Sequence, residues 1–373
     1  MISKFTLRDL RNLRGRDDKP FSSLDAPKYA PYRDGKGQLD VGMKPIDTPY
    51  IAGAYNKEPE DVIFDIDKFW PYYMNKKHWL FDNCRDVVYQ DINKKKITKT
   101  HRELSSLSYL GIVDIEHGLD SWNNPNPNWE DWGSGASGLS FFERINRKDD
   151  GSSMSTYRNY FGGPTVDVSF WGPTCDKYGL LELAQLVQED LCILRRREDG
   201  WNLRAAAVCF PSYWSLKEKM GKPLDMIHGP VPQLNSAINE VITSKLDALE
   251  TEKPVERFNW TLTDDMELHQ PSPTRRRKYI LGDSIANNIF VRVERQTMMM
   301  LRSGDILFTI RTYLNSLRTI LQDRELSTGL HDSIFNTSPE VLAYRGIDRY
   351  GTQTMRAIVQ AYAPELLPLG DTP

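Results

Sequence analysis

The stretch FVRVERQTMMMLRSGDILFTIRTYL, residues 290–314, places two runs rich in β-branched and aromatic residues on either side of a short polar turn. In the first run, which extends over 288–300, charged and apolar residues alternate, as is typical of a β-strand. The second run, 305–314, has a similar composition, and SGD at 303–305 has the small residues of a tight connection. The sequence therefore predicts a hairpin of two antiparallel strands.

The segments around this hairpin predict the rest of an α+β core. Their order is strand, strand, short helices, longer helix and three strands, which describes an antiparallel sheet with helices on one side. Per-Arnt-Sim (PAS) domains have this order, and so do other α+β folds, so the predicted class is α+β with a PAS-like antiparallel sheet and flanking helices. The predicted segments are a helix and strand in 180–197, a strand at 201–211, a short helix opened by a capping box of Ser215 and Glu218, a helical turn at 224–228, a helix at 234–250, and strands at 255–263, 288–300 and 305–314.

Composition and charge exclude several classes of protein. The chain of 373 residues is 39% hydrophobic and 27% charged, with a mean hydropathy of -0.54, as in a soluble globular protein. A net charge of -3 does not favour nucleic acid or an anionic membrane as a partner. No apolar run approaches the ~18 residues that a membrane span requires. Four scattered cysteines without a C-x-x-C pair favour a reducing, cytoplasmic location.

The chain divides into four predicted parts. Residues 1–60 are rich in Pro, Gly, Asp and Tyr, and the aromatic run 65–84 favours a helix with Pro71 near its start. The region 120–165 is dominated by Asn, Pro, Gly and Ser, which indicates an irregular insertion. The predicted parts are an N-terminal extended and helical segment that packs on the core (1–95), a loop-rich divergent insertion (96–177), the PAS-like core (178–320) and a C-terminal helical segment (321–373).

Motifs for common cofactors are absent from the sequence. There is no G-x-x-x-x-G-K-[ST], G-x-G-x-x-G, H-E-x-x-H or G-x-S-x-G pattern. The glycine-rich run at 133–138 lies among Asn and Pro rather than after a strand, so it does not predict a dinucleotide site. The basic cluster 275–278 is interpreted as a solvated loop. The chain is therefore expected to hold no nicotinamide or flavin of its own.

His228 stands apart from the other five histidines because of its position. It ends the apolar run DMIH and is followed by Gly229 and Pro230, which stop a helix and stiffen the turn. No two histidines are spaced as ligands on one element, but a single fixed imidazole suffices to bind the iron of a non-covalent haem. His269 also precedes a proline-containing turn, among polar and acidic neighbours. Two interpretations of His228 remain open here: a helix cap or packed side chain, and a haem ligand.

Arg292 and Glu294 alternate with valines in the strand FVRVERQT and therefore share one face. If that face is exposed, they form a surface patch. If it lines a cavity, Arg292 could bind a haem propionate and Glu294 could hold a small cationic substrate or relay protons. Arg311 and Tyr313 are expected on the neighbouring strand.

Several blocks of the sequence together resemble one known family. The blocks are GMKPIDTPYI and DIDKFWPYYMNKKHWLF within 42–83, and LVQEDLCIL, AAAVCFPSYWSLKEKMGKPLDMIHGPVP, FNWTLTDDMELHQP and RVERQTMMMLRSGDILFTIRTYLNSL within 178–320, whereas about 95–175 matches poorly. These blocks resemble the haem-dependent oxidative N-demethylase alpha-subunit family. The resemblance implies a PAS-like fold that binds haem b and uses O2, with electrons from NADPH, to demethylate a small secondary or tertiary methylamine and release formaldehyde. Flavin (FMN) and iron–sulfur partner proteins, of a reductase or ferredoxin type, would deliver the electrons.

The resemblance also implies roles for particular residues. His228 lies in the block that carries the family's histidine and becomes the expected axial ligand of the iron. Arg292 and Glu294 become the expected catalytic residues of the pocket. Arg292, Arg311 and Trp260 are the further residues expected to bind the cofactor. The alternative function is that of a haem-binding PAS sensor or a non-catalytic ligand-binding relative.

Overall fold

The computed structural model describes a set of ranges that together hold two β-sheets and the helices around them. The described residues are 27–36, 42–46, 64, 69–92, 142–147, 153–159, 166–170, 179–185, 187–232, 236–251, 253–272 and 289–347. The basic cluster 275–278 and the glycine-rich run 133–138 lie outside these ranges.

The described chain contains short helices and three longer ones of 12 to 14 residues. The helices are α1 (Trp70–Asn83), α2 (Arg85–Val88), α3 (Gly179–Ala184), α4 (Leu216–Lys219), α5 (Leu224–His228), α6 (Ser236–Asp247), α7 (Leu317–Leu321), α8 (Arg324–Phe335) and α9 (Pro339–Tyr344). The strands are β1 (Lys44–Pro45), β2 (Tyr89–Asp91), β3 (Phe142–Arg147), β4 (Ser153–Asn159), β5 (Val166–Phe170), β6 (Asp190–Arg197), β7 (Gly200–Ala207), β8 (Val255–Thr263), β9 (Phe290–Met300) and β10 (Ile306–Ser316).

The described chain has an α+β architecture, and its main sheet is antiparallel throughout. Its seven strands have the order β1-β8-β9-β10-β6-β7-β2. The predicted hairpin is confirmed: β9 and β10 pair from Ile306 opposite Met300 to Ser316 opposite Phe290. Gly304 has a φ of 84° in the connecting turn, a left-handed conformation that glycine adopts without strain.

The two faces of this sheet are both covered, which corrects the expectation of helices on one side. Ten of the eleven residues of β9 are buried, so neither face of this central strand meets bulk water. We call the side that carries Glu294 the site face and the other side the opposite face. Apolar residues of α4, α5 and α6 pack on the site face, whereas α1 and α7–α9 pack on the opposite face.

The order of elements predicted for the core is confirmed, but one detail of its local chemistry is wrong. The helix α4 begins after Ser215 as predicted, yet the Ser215 side chain makes no capping hydrogen bond. Its backbone carbonyl instead accepts the N–H of Glu218, 3.1 Å away. A helix of only four residues is therefore closed by backbone bonds and by burial of Leu216 rather than by a capping box.

The predicted loop-rich insertion contains regular structure that the sequence did not indicate. Strands β3, β4 and β5 form a separate three-stranded antiparallel sheet in the order β3-β4-β5. Two strands from the N-terminal part, β1 and β2, join the edges of the main sheet. The sheet therefore extends beyond the predicted core of residues 178–320.

A buried set of side chains holds the backbone of Cys209 and Phe210, where the chain leaves β7. The Asp190 carboxylate accepts the Cys209 N–H at 2.7 Å and the Phe210 N–H at 2.9 Å. His269 Nδ1 donates to the Cys209 carbonyl at 2.7 Å, and Arg292 Nη2 donates to the Phe210 carbonyl at 2.6 Å. All four backbone N–H and C=O groups of these two residues thus bond to side chains, and we call this arrangement the peptide clamp.

Lys77 supplies the positive charge that accompanies Asp190. Its side chain is fully buried on α1, and its ammonium donates to the carbonyls of Ala184 at 3.1 Å, Val187 at 2.8 Å and Glu189. The three N–H groups of the ammonium are therefore all used by the chain that connects α3 to β6. Burial lowers the pKa of Lys77 and raises the pKa of Asp190 to about 6, because each charged form loses hydration.

An N-terminal segment, residues 29–36, lies across the opposite face. Tyr29 stacks near Phe258 with ring centroids 5.0 Å apart, and Tyr32 meets Trp260 edge-on at 5.7 Å. The backbone of this segment passes so close to α8 that a Cβ on Gly329 would collide with the backbone of Arg33. Glycine is required at residue 329 because of this close approach.

The described residues carry no feature of a membrane span or a multi-ligand metal site. No described helix has the length and apolar character needed to cross a bilayer. Within the same ranges, no three His, Cys, Asp or Glu side chains come together in a way that could hold a metal ion.

Replacing Asp190 by Asn should destabilise the protein and change how its stability depends on pH. One N–H of the clamp would face an amide NH2, and Lys77 would lose its counter-charge, so we expect a loss of about 2–4 kcal/mol at neutral pH. Because the pKa of Asp190 is raised in the folded state, its titration contributes most to the free energy of unfolding below its unfolded-state pKa. This contribution falls as the pH rises through about 6. Urea unfolding at several pH values should therefore show that the free energies of unfolding of the wild type and Asp190→Asn differ more in acid. A difference that grows with pH would contradict this assignment.

Replacing Gly329 by Ala should loosen the N-terminal segment. The new methyl group would overlap the backbone of Arg33, which cannot move without breaking contacts of Tyr29 and Tyr32, so we expect a loss of roughly 1–3 kcal/mol. Trypsin should then cleave after Arg33 faster than in the wild type. Thr328→Ala, an exposed change one residue away on α8, is the matched control and should leave both the cleavage rate and the unfolding midpoint nearly unchanged.

Candidate functional site

His228 is the last residue of α5, as the sequence predicts, and the turn after it is tight. Gly229 is the C-cap, and the N–H of Val231 donates to the carbonyl of His228 at 2.7 Å. Lys219 on α4 donates from Nζ to the carbonyl of Ile227 at 2.7 Å, so a cation stabilises the C-terminal end of this short helix. The backbone that carries the imidazole is therefore held from both sides.

The His228 imidazole is neutral at physiological pH and has an unused nitrogen. Burial, with smaller contributions from Arg257 and Lys219, lowers the pKa of His228 to about 4, although hydrogen bonding with Asn239 opposes the shift. Nδ1 is buried and makes no hydrogen bond to any described residue. A buried ring nitrogen without a protein partner is costly unless something else binds the ring. The neutral form is also the form in which histidine binds metals.

A row of polar side chains crosses the site face on β8 and β9. Arg257 and Gln296 are paired across the two strands, as are Asn259 and Glu294. Arg257 Nη1 donates to Gln296 Oε1 at 2.9 Å, and Gln296 Nε2 donates to Glu294 Oε2 at 3.1 Å. Asn259 Nδ2 lies 3.5 Å from the same Glu294 oxygen. We call these four residues the polar row.

Glu294 is the unusual member of the polar row. Its side chain lies on a central strand with only 8% of the residue exposed. Oε2 interacts with two amide donors, whereas Oε1 accepts no hydrogen bond from a described residue. Within the described part of the chain, no Lys, Arg or His nitrogen lies within 4.0 Å of the carboxylate. Buried carboxylates normally have a cationic partner, so this oxygen has the chemistry of a cation-binding group.

His228 lies on the same side of the sheet as the polar row and within electrostatic range of Arg257. The Arg257 guanidinium is close enough to contribute to the lowered pKa of the imidazole. His228 belongs to the helical layer on the site face, where Leu224 and Ile227 of α5 pack with the sheet. A neutral imidazole, a guanidinium and an open carboxylate oxygen therefore occur on one side of the sheet.

Arg292 shares the site face with Glu294, and the exposed-patch alternative is wrong for both residues. Arg292 is completely buried, and its guanidinium takes part in the peptide clamp and reaches the carbonyl of Leu268 at 3.3 Å. Nε and Nη1 make no hydrogen bond to described residues. His269 is likewise part of the clamp, where its donation to a carbonyl requires the proton on Nδ1.

Arg311 and Trp260 lie on the opposite face and are not brought together with His228. Arg311 pairs with Arg295 across the sheet, and its guanidinium carbon lies 4.1 Å from the ring centroid of Tyr73. Trp260 is 3% exposed and stacks under the Arg345 guanidinium at 4.2 Å. Tyr313 is on the strand next to β9, as predicted, but it also faces away from Glu294.

Three members of the polar row, Arg257, Asn259 and Gln296, were not identified from the sequence. Arg257 and Asn259 alternate with apolar residues in VERFNWTLT, and this pattern could have placed them on one face of a strand. Their proximity to Glu294 depends on strand register, which the sequence did not provide.

The chain was compared with models of protein families. Residues 142–355, more than half of the chain, match the family described as haem-dependent oxidative N-demethylase, alpha subunit-like. The matched range contains all of the residues discussed as the site. It also begins inside the part of the chain, about 95–175, where the sequence resemblance was expected to be poor.

Proposed function

Because the chain belongs to the haem-dependent oxidative N-demethylase, alpha subunit-like family, we propose that it is the haem-bearing subunit of an oxidoreductase that demethylates a small secondary or tertiary methylamine. One methyl group leaves as formaldehyde, and the amine gains hydrogen in its place. The overall balance consumes one O2, two electrons and two protons for each formaldehyde and each water formed. NADPH is the proposed electron source.

The observation that carries the proposed substrate class is the open oxygen of Glu294. Methylamines are protonated ammonium ions at neutral pH, and a buried carboxylate with one free oxygen is a suitable acceptor for their N–H group. Asn259 and Gln296 hold the other oxygen, so the carboxylate keeps one orientation before the amine binds. A pre-oriented acceptor lowers the entropic cost of positioning a small ligand.

The described residues fit a non-covalent haem in three respects. His228 offers a neutral imidazole on a rigid helix end, with Nδ1 unused by the protein. Arg257 and Lys219 provide positive charge near this imidazole, which suits the two propionates of haem. Leu224 and Ile227 contribute apolar surface in the same layer. Haem bound there would supply the oxygen activation that the side chains cannot perform by themselves.

The chain's own residues would bind and orient the amine. Glu294 would accept its N–H group and thereby fix the nitrogen, so that a methyl group takes a constant position. The Gln296 amide lies between the side chains of Arg257 and Glu294. It would therefore keep the Arg257 charge away from the bound cation. Burial of Glu294 and Gln296, each 8% exposed, limits competing water.

The other residues implied by the resemblance have less geometric support. Arg292 is on the correct face with two unused donor nitrogens, so a role at the edge of the site is compatible with its position. Arg311 and Trp260 lie on the opposite face, and their assignment to the cofactor stays a prediction without support from contacts. We propose Arg257 in their place as the arginine beside the cofactor.

The proposed electron path runs through other proteins. The family description names an alpha subunit, which implies further subunits. FMN and iron–sulfur groups are proposed to reside on those reductase or ferredoxin-type partners. We also propose that the core is PAS-like, which the order strand, strand, short helices, longer helix and three strands supports.

Haem binding should depend on His228. The purified full-length chain, expressed with a haem supply, should show a Soret band, and His228→Ala should shift or lose it because the axial imidazole is removed. His331→Ala is the matched control, since that imidazole lies on α8 and contacts Phe335 on the opposite side of the sheet. A wild-type protein without haem, or a His228→Ala spectrum identical to the wild type, would contradict the ligand assignment.

Formaldehyde release should depend on Glu294. With NADPH, a ferredoxin and its reductase, the haem-loaded chain should produce formaldehyde from dimethylamine in an O2-dependent reaction. Glu294→Gln keeps the size but removes the charge, so kcat/KM should fall by roughly 10- to 1000-fold. Glu250→Gln, which removes only an exposed ion pair with Lys253, should retain the activity. Haem without amine-dependent formaldehyde would indicate a sensor rather than an enzyme.

A further inference from the structure

Two buried donor nitrogens of Arg292 have no acceptor among the described residues. The residue is completely buried, and its Nη2 donates to the carbonyls of Phe210 and Leu268, whereas Nε and Nη1 make no hydrogen bond within the described ranges. A buried charged group with donors that lack an acceptor is costly. The peptide clamp therefore uses one nitrogen of this guanidinium, and the other two have the chemistry of an anion-binding group.

Thr261 adds an unused hydroxyl beside this guanidinium. It is the cross-strand partner of Arg292 on β8, so the two side chains are neighbours on the site face. Thr261 is 6% exposed, and its buried Oγ1 makes no hydrogen bond to a described residue. A threonine hydroxyl can donate one hydrogen bond to a carboxylate that an arginine binds.

The loops at 210–213 and 268–270 meet next to the guanidinium and are fixed in place. They are joined by backbone hydrogen bonds of 3.2 and 2.7 Å, one donated by the Gln270 N–H and one by the Tyr213 N–H. Tyr213 has a φ of 63°, a conformation that is costly for a residue other than glycine. Its hydroxyl lies 3.0 Å from Thr263 Oγ1, which holds the first loop against β8. The surroundings of the unused donors are therefore pre-organised.

Thr312 links this guanidinium to the open carboxylate of Glu294. Arg292 Nη2 lies 3.5 Å from Thr312 Oγ1, and Thr312 is the cross-strand partner of Glu294 on β10. Directly paired side chains have Cβ atoms roughly 4.5–5.5 Å apart, and residues two apart on a strand are separated by about 6.5 Å. The guanidinium and the carboxylate are thus close enough for one small ligand to contact both.

We propose that Arg292, together with Thr261, binds a carboxylate group of the substrate, so that the site takes an N-methylated amino acid. This inference rests on the proposed function and narrows its substrate class. Glu294 accepts the ammonium N–H of such a zwitterion, while Nε and Nη1 of Arg292 donate charge-assisted hydrogen bonds to its carboxylate. The Thr261 hydroxyl donates to the same group. N-methylglycine is the smallest ligand of this class.

The test is isothermal calorimetry on the haem-loaded full-length chain, with the Soret band as a check of haem content. N-methylglycine, N-methylglycinamide and dimethylammonium chloride are titrated separately. N-methylglycine should bind at least about 10-fold more tightly than the other two, because it alone offers a carboxylate. Arg292→Lys should reduce this preference, measured as the ratio of Kd values, about 10-fold, because a lysine lacks the two donors in that geometry.

Thr261→Val provides a second variant that leaves the peptide clamp intact and decides the question if Arg292→Lys does not fold. It removes one hydroxyl and nearly keeps the size of the side chain, so it should reduce the preference for N-methylglycine about 3- to 10-fold. Thr319→Val is the matched control. Thr319 is a buried threonine of α7 whose hydroxyl also makes no hydrogen bond to a described residue, and its replacement should leave the preference unchanged.

The outcomes separate this inference from the proposed function. If dimethylammonium binds and Glu294→Gln abolishes its binding, but N-methylglycine binds no more tightly than its amide, the inference is overturned and the function stands. A preference that persists in Thr261→Val or Arg292→Lys also overturns it. Loss of the Soret band in a folded Arg292→Lys protein would assign the guanidinium to a haem propionate instead, with the same consequence. If the wild type binds neither amine, or Glu294→Gln binds dimethylammonium as tightly as the wild type, the proposed substrate class itself is wrong.

Discussion

The peptide clamp at Cys209 and Phe210 is the constraint from which the rest of the site follows. Asp190, His269 and Arg292 come from three separate parts of the chain and bond to every backbone N–H and C=O group of these two residues. Unsatisfied peptide groups at this depth would each cost on the order of 1–3 kcal/mol, so the geometry has little freedom. The chain leaves the sheet here and later returns as β8. The excursion carries α4, α5 and His228 over the site face.

The charges of the clamp explain why buried polar residues are so dense in this protein. An isolated Asp190 would be expensive in the interior, and Lys77 offsets its charge while organising the turn before β6. Arg292 contributes a second cation to the same region. Glu294 lies only two residues further along β9, yet its carboxylate has no comparable cation among the described residues. The protein thus neutralises one buried carboxylate internally and leaves the other with an open oxygen.

The features that are predictable from the sequence are those that local physics determines. Alternation in 288–300 and the Gly304 turn specify the hairpin without reference to the rest of the chain. Pro230 and Gly229 likewise determine where α5 ends, so the position of His228 on its helix was predictable. Glu294 and Arg292 were placed on a common face by the two-residue period of a strand. These features need only short-range geometry.

Features that depend on several elements at once are not predictable from the sequence. Arg311 was a reasonable candidate because it follows the same alternation, but the register of β10 against β9 puts it opposite Arg295, on the other face. A shift of one residue would have reversed this result, and the sequence does not specify register at that precision. Arg257 and Asn259 approach Glu294 through the pairing of β8 with β9. The capping box of Ser215 failed for a related reason, since burial of Leu216 fixes α4 without it.

The arrangement of the polar row bears on the kind of ligand that suits it. A direct Arg257–Glu294 pair would close the carboxylate and leave no place for a cation. Gln296 prevents this pairing, because its carbonyl oxygen accepts from Arg257 and its amide donates to Glu294. Its dipole is favourable to both charges, so the separation is stable even though the two side chains are neighbours on one face. A carboxylate that is anchored through one oxygen and separated from the nearest guanidinium by an amide retains its affinity for an external cation. This is the property that a site for protonated amines requires.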